Sequence, residues 1–96
     1  METMKDRIEI SAKAQKDLRK VPKHIVKNFQ RWALLVEDIG LHEVRKIPGY
    51  HDEPLQGDRQ GERSTRLSKA YRVIYTETPE GRINIINVWE VNKHEY

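Results

Sequence analysis

Polar and apolar residues alternate over Arg7-Ile8-Glu9-Ile10, a period of two that predicts a short strand. Ser11 then has the chemistry of a helix N-cap, and Ala14, Leu18 and Val21 follow at helical spacing. Pro22 ends that helix and suits the start of the next. In the second helix Ile25, Phe29, Trp32, Val36 and Ile39 step by four and three residues, forming one apolar stripe that stops at Gly40. Residues 41 to 61 break the periodicity with two prolines and three glycines, and predict a long connection with one helical turn at 41–46. The period then returns to two, predicting strands at 62–67, 71–77 and 83–91, the last two joined by a turn at Thr78-Pro79-Glu80-Gly81.

The order strand, helix, helix, strand, strand, strand predicts an α+β fold in which a helical hairpin covers one face of a small, largely antiparallel sheet. A chain of 96 residues predicts a single domain, residues 1–96, with a thin core. Phe29, Trp32 and Trp89 are expected in that core. With 36% apolar and 34% charged residues the chain is polar but foldable, and no apolar run approaches a membrane span. The absence of cysteine excludes a disulfide scaffold, a thiolate metal site and a cysteine nucleophile, and suits a reducing cytoplasm.

Charge placement says more than the net value of +3. Residues 1–48 carry eleven Lys/Arg against seven Asp/Glu, while residues 59–72 carry five cations and one anion, Glu62. On the first helix Lys13, Lys16 and Lys20 share a side; on the second Lys23, Lys27 and Arg31 lie four apart, roughly opposite the apolar stripe. Clustered cations raise the odds of a polyanionic partner, against the plainer alternative of a solvated face.

The stretch Asp52-Glu53-Pro54-Leu55-Gln56-Gly57, running on to Arg66, carries the candidate chemistry. Extended backbone at 62–67 places Ser64 and Arg66 on one face and Arg63, Thr65 and Leu67 on the other. The next strand alternates Tyr71, Val73 and Tyr75 with Arg72, Ile74 and Thr76. An open face bearing Arg66 or Arg72 suits phosphate, because guanidinium offers a rigid fork of donors; cross-strand pairing with Glu62, Glu77 or Glu90 is the bland alternative. Glu53, Arg66, Arg72 and His94 together suffice to cleave RNA without a metal: a base, positive charge for the phosphorane, and an acid. Arginines beside Glu53 lower its basicity, so His51 stands as a second candidate base. The four histidines are scattered, which gives no metal-ligand spacing, and neither a phosphate-binding glycine loop nor a serine elbow occurs. Gly57 and Gly61 are expected to bend the loop into the strand, with Leu55 anchoring it in the core.

Glu53-Pro54-Leu55-Gln56-Gly57-Asp58, then Gly61, Ser64, Arg66-Leu67 and Tyr71-Arg72-Val73-Ile74-Tyr75, with the ending His94-Glu95-Tyr96, resemble the RelE/ParE superfamily of toxins, closest in pattern to its YoeB-like and HigB-like messenger-RNA endonucleases. The resemblance implies a type II toxin that cuts messenger RNA in the ribosomal A site without cofactor and is silenced by a cognate antitoxin. It implies Glu53 as general base, Arg72 as the arginine on the scissile phosphate with Arg66 beside it, and His94 or Tyr96 as acid. RelE-like relatives use lysines in place of the carboxylate base, which keeps Lys69 and Lys93 as further candidates for that role. The basic helices, Lys13 to Arg31, would then meet ribosomal RNA, with Arg59 and Arg63 as further RNA contacts. The alternatives are a ParE-like inhibitor of DNA gyrase and an inactive antitoxin-binding relative.

Overall fold

A computed structural model describes residues 5–93. Five strands form one sheet: β1 (Lys5–Ile10), β2 (Glu53–Pro54), β3 (Arg63–Arg66), β4 (Tyr71–Glu80) and β5 (Ile83–Lys93), in the spatial order β1-β5-β4-β3-β2. β1 runs parallel to β5, and every other neighbouring pair is antiparallel. Three helices, α1 (Ala12–Lys20), α2 (Lys23–Ile39) and α3 (Leu41–Val44), complete the α+β fold.

Local chemistry sets the element ends. Ser11 Oγ accepts from the Ala14 amide at 3.0 Å and donates to the Trp89 carbonyl at 2.8 Å, so one hydroxyl caps α1 and ties it to β5. Val21 is extended, as a residue before proline must be, and α2 starts directly after Pro22. Asp6 accepts from the Leu41 amide at 2.6 Å, fastening β1 to the start of α3.

The core lies between the helices and one sheet face. Ala14, Ile25, Phe29, Trp32 and Val36 pack against Val73, Tyr75, Ile86, Val88 and Val91, all buried. In the sheet's register the residues Val73, Tyr75, Ile86, Val88 and Val91 share one face, so the opposite face is open to other work.

Five local expectations are corrected. Ile39 is exposed, because the chain turns at Gly40 and the core positions beyond it go to Leu41 and Val44 of α3. The loop 41–61 is ordered by α3, by two single 3-10 turns at Pro48–Tyr50 and Gly57–Arg59, and by β2. The last hairpin turns at Gly81-Arg82, with Gly81 at φ 62 in the position a tight hairpin needs, and Pro79 lies within β4 opposite Asn84. Leu55 stays half-buried outside the core, its amide donating to the Glu62 carbonyl at 2.8 Å. Trp89 is not a core residue: a β-bulge pairs Ile74 with Glu90 and Tyr75 with Val88, leaving Trp89 as the extra residue, 44% exposed. Its indole N–H donates to Thr76 Oγ1 at 2.8 Å.

Among the described residues no helix is long and apolar enough to cross a membrane, and no three His, Asp or Glu side chains gather as a metal site.

Candidate active site

Strand register brings together residues far apart in sequence. Glu53 pairs with Ser64, Ser64 with Ile74, and Ile74 with Glu90; one row away Arg66 pairs with Arg72, and Arg72 with Asn92. Directly opposed residues share a face. Glu53, Ser64, Arg66, Arg72, Glu90 and Asn92 therefore stand on the face turned away from the helices, while Arg63, Thr65 and Leu67 stand on the core side.

The charges on this face are unequal in their partners. Arg59 donates to Glu62 at 3.3 Å and to Glu90 at 3.1 Å, which ties the Gly57–Arg59 turn to β5, and on this face Ser64 and Ile74 are buried. Arg72 Nε donates to Asn92 Oδ1 at 3.2 Å, and Asn92 donates in turn to Glu90. Neither Arg66 nor Arg72 forms an ion pair among the described residues. Two guanidinium groups directly opposed across strands repel, so this arrangement costs stability unless an anion lies over it.

Glu53 reaches the site from a strained segment. His51 has φ 46, a left-handed conformation taken by only a few per cent of non-glycine residues. Its Nε2 lies 3.8 Å from the Glu53 carboxylate, and both side chains are 55% exposed. Between them the side chain of Asp52 turns inward and is 1% exposed. It accepts from Arg63 Nε at 2.7 Å and from the Tyr75 hydroxyl, with Arg45 Nε at 3.8 Å. Burial pushes the Tyr75 phenol well above the usual range, and the Asp52 carboxylate reinforces the shift. Arg45 also pairs with Glu77. Partial burial raises the Glu77 carboxyl, but hydrogen bonds from Asn84 and Arg45 outweigh it and leave the group below its ordinary value.

Asp52, Arg45 and Tyr75 were not singled out by sequence patterning. The available signal was the doublet Asp52-Glu53, since successive carboxylates in extended backbone point opposite ways. Arg63 spends its guanidinium on Asp52 and Arg59 on two glutamates, so neither is an idle cation.

Lys16, Lys20, Lys23, Lys27 and Arg31 are exposed and form no ion pair among the described residues, whereas Lys13 pairs with Asp17 at 3.1 Å. Arg31 also borders a cleft of about 330 Å³ at the sheet edge, where Asn28, Tyr50 and Arg66 meet it. β2 is only two residues long, so the far end of β3 is left open to this cleft. His94 and Tyr96 lie outside the described residues; β5 is described as far as Asn92 and Lys93, opposite Arg72 and Tyr71.

No family model matches the sequence, and no curated protein does. Solved structures match over nearly the whole chain. YafQ from Escherichia coli BL21(DE3) superposes with a TM-score of 0.73 at 20% identity, covering 93% of both chains. A structure of the E. coli DinJ-YafQ toxin-antitoxin complex gives 0.72 at 22% identity, over 94% of this chain and 93% of that one. The YoeB dimer from Staphylococcus aureus gives 0.67 at 21% identity, over 96% and 99%. Over nearly its whole length the chain therefore shares the fold of these YafQ and YoeB toxin structures.

Proposed function

We propose that the protein is the toxin of a type II toxin-antitoxin system, an endoribonuclease that cleaves messenger RNA on the ribosome and is held inactive by an antitoxin. The observation that carries this reading is the Arg66–Arg72 pair, opposed in register, without carboxylate partners among the described residues, and on the same sheet face as Glu53. A phosphodiester over that pair would relieve the repulsion and receive two rigid donor forks.

The residues suit an in-line reaction. Glu53, or His51 beside it, takes the proton of a 2'-hydroxyl, whose oxygen attacks the adjacent phosphorus. Arg66 and Arg72 stabilise the charge that gathers on the phosphorane oxygens. His94 or Tyr96 protonates the departing 5'-oxygen, leaving a 2',3'-cyclic phosphate and a 5'-hydroxyl. Positioned acid and base groups are each worth about 10²–10⁴ in rate. None of these steps calls for a metal.

The exposed cations of α1 and α2 suit sequence-independent contacts to ribosomal phosphates. An antitoxin partner is supported by the solved DinJ-YafQ complex, whose toxin chain shares this fold.

The test is to map RNA 5' ends in cells after brief induction, wild type against Arg72→Ala. New ends inside translated messages that vanish in the variant are the expected result. Intact messages under the wild-type protein would remove the reading, and a block of supercoiling by purified gyrase would replace it with the gyrase-inhibitor alternative.

A further inference from the structure

We propose that the cleft between α2 and the Pro48–Tyr50 turn is a nucleotide subsite, holding one nucleotide of the RNA strand beside the phosphate at Arg66 and Arg72; it rests on the RNA-cleaving reading for the strand's identity. Four side chains carry the assignment: Arg31 and Asn28 from α2, Tyr50 from the turn, and Arg66 from the end of β3.

Charge is the first argument. Apart from Arg72, the other arginines near this edge of the sheet are spent: Arg45 on Glu77 and Tyr75, Arg59 on Glu62 and Glu90, Arg63 on Asp52. Arg31 and Arg66 border one concavity and have no carboxylate partner among the described residues. Two uncompensated guanidiniums around a concave surface select an anion, and their planar forks suit a phosphate.

The floor and size narrow the anion. Leu35, Ile47 and Leu67 give the cleft an apolar base, and Tyr50 gives it a half-buried aromatic ring. Apolar floor, aromatic wall and cationic rim together match a nucleobase joined to a phosphate, not a free inorganic ion. The volume of about 330 Å³ stands at the low end of the roughly 300–1,000 Å³ usual for small-molecule sites. That is room for a single nucleotide.

Two contacts hold the walls in place. Asn28 Nδ2 donates to the Leu67 carbonyl at 2.8 Å, fastening α2 to the strand that carries Arg66, and its amide oxygen is left to accept from a base. Thr65 Oγ1 donates to the Tyr50 carbonyl at 3.3 Å, fixing the turn against β3. Lys27 lies one helical turn before Arg31, so the cleft continues the exposed cations of α2 toward the Arg66–Arg72 pair. The strand would run along α2, place one nucleotide in the cleft, and present the next phosphate at the open face.

The probe is a uridine hexanucleotide with every 2'-hydroxyl methylated, which the protein cannot cut, titrated into the ¹⁵N-labelled full chain. Saturable shifts are expected at Asn28, Arg31, Gly49 and Tyr50 together with Arg66. Arg31→Ala is expected to weaken binding about tenfold, the loss of one charge-assisted contact. Tyr50→Phe should retain affinity where Tyr50→Ala loses it, a difference that reads ring stacking and not the hydroxyl. Arg31 is exposed, so an unchanged melting temperature in Arg31→Ala shows that folding is untouched. Shifts confined to Arg72 and Asn92, unaltered affinity in Arg31→Ala, or a cleft occupied by antitoxin and not by the oligonucleotide would each overturn the subsite. Messages cut in cells with no response in the cleft would end this proposal and leave the cleavage reading standing. A cleft filled by the oligonucleotide with messages left intact would do the reverse.

Discussion

Arg63 Nε meets the buried carboxylate of Asp52 at 2.7 Å, and this pair pins the segment that presents Glu53 to the opposite side of the sheet. The carboxylate of Asp52 gathers Arg63, Arg45 and the Tyr75 hydroxyl, so the neighbouring residue is oriented by a buried polar cluster beneath it.

Removing that anchor is costly. Asp52→Ala leaves Arg63 partly buried without a counter-charge, while Arg45 keeps Glu77, and losing one partner of a buried pair costs about 3 kcal/mol or more. Urea denaturation should show a clearly lower midpoint; a wild-type midpoint would mean the cluster is not structural.

Glu53→Gln is expected to behave oppositely. Its side chain is 55% exposed and its ion-pair partner among the described residues is His51, so the melting temperature should hold while cleavage falls about 10²–10⁴-fold. Primer extension on an induced message measures the loss. A larger loss in His51→Gln than in Glu53→Gln assigns the base to His51.

Stability should fall in acid partly through Glu77. Its folded carboxyl titrates below the usual 4.5, so the stabilisation is present above that pH and drains away as pH falls toward the folded value. Glu77→Gln should flatten the decline of the denaturation midpoint below about pH 4.5. Tyr75 acts in the opposite direction: its raised phenol stabilises below the usual 10.0 and loses that contribution as pH climbs above it. Tyr75 should therefore be the slowest of the tyrosines to ionise in an ultraviolet titration, and Tyr75→Phe should remove that late component.

The two tryptophans should separate in fluorescence. Trp32 is 0% exposed and Trp89 44%, so iodide should quench one component only, and Trp89→Phe should abolish the quenching. Quenching that persists in the variant would place Trp32 in contact with solvent.

Salt dependence should report the helix cations. Single-strand binding loses a slope of about 0.7 per phosphate contact removed, so Lys23→Ala and Lys27→Ala should each flatten the plot of log affinity against log salt by about that much. Lys13 is already paired with Asp17 and should matter less. Equal slopes in all variants would mean the helices do not touch RNA.

Much of this protein follows from local pattern. Ser11 as a cap, the stripe Ile25, Phe29, Trp32 and Val36, and the alternation that separates Arg66 from Leu67 are matters of period and short-range hydrogen bonding, and each stands in the structure as its spacing implies. The α+β class follows from the same periods, because they state which face of each element must be buried.

Long-range geometry decided the rest. No period reports that β1 pairs in parallel with β5, or that a bulge turns Trp89 outward, because both depend on how distant strands register. Nor does charge type distinguish Arg63 from Arg66. They lie three residues apart in one strand, yet pleating sends one to a buried carboxylate and sets the other opposite a second arginine. Sequence supplied the cations and the carboxylates; the sheet's register determined which of them meet, since opposed side chains share a face only once the strands are paired.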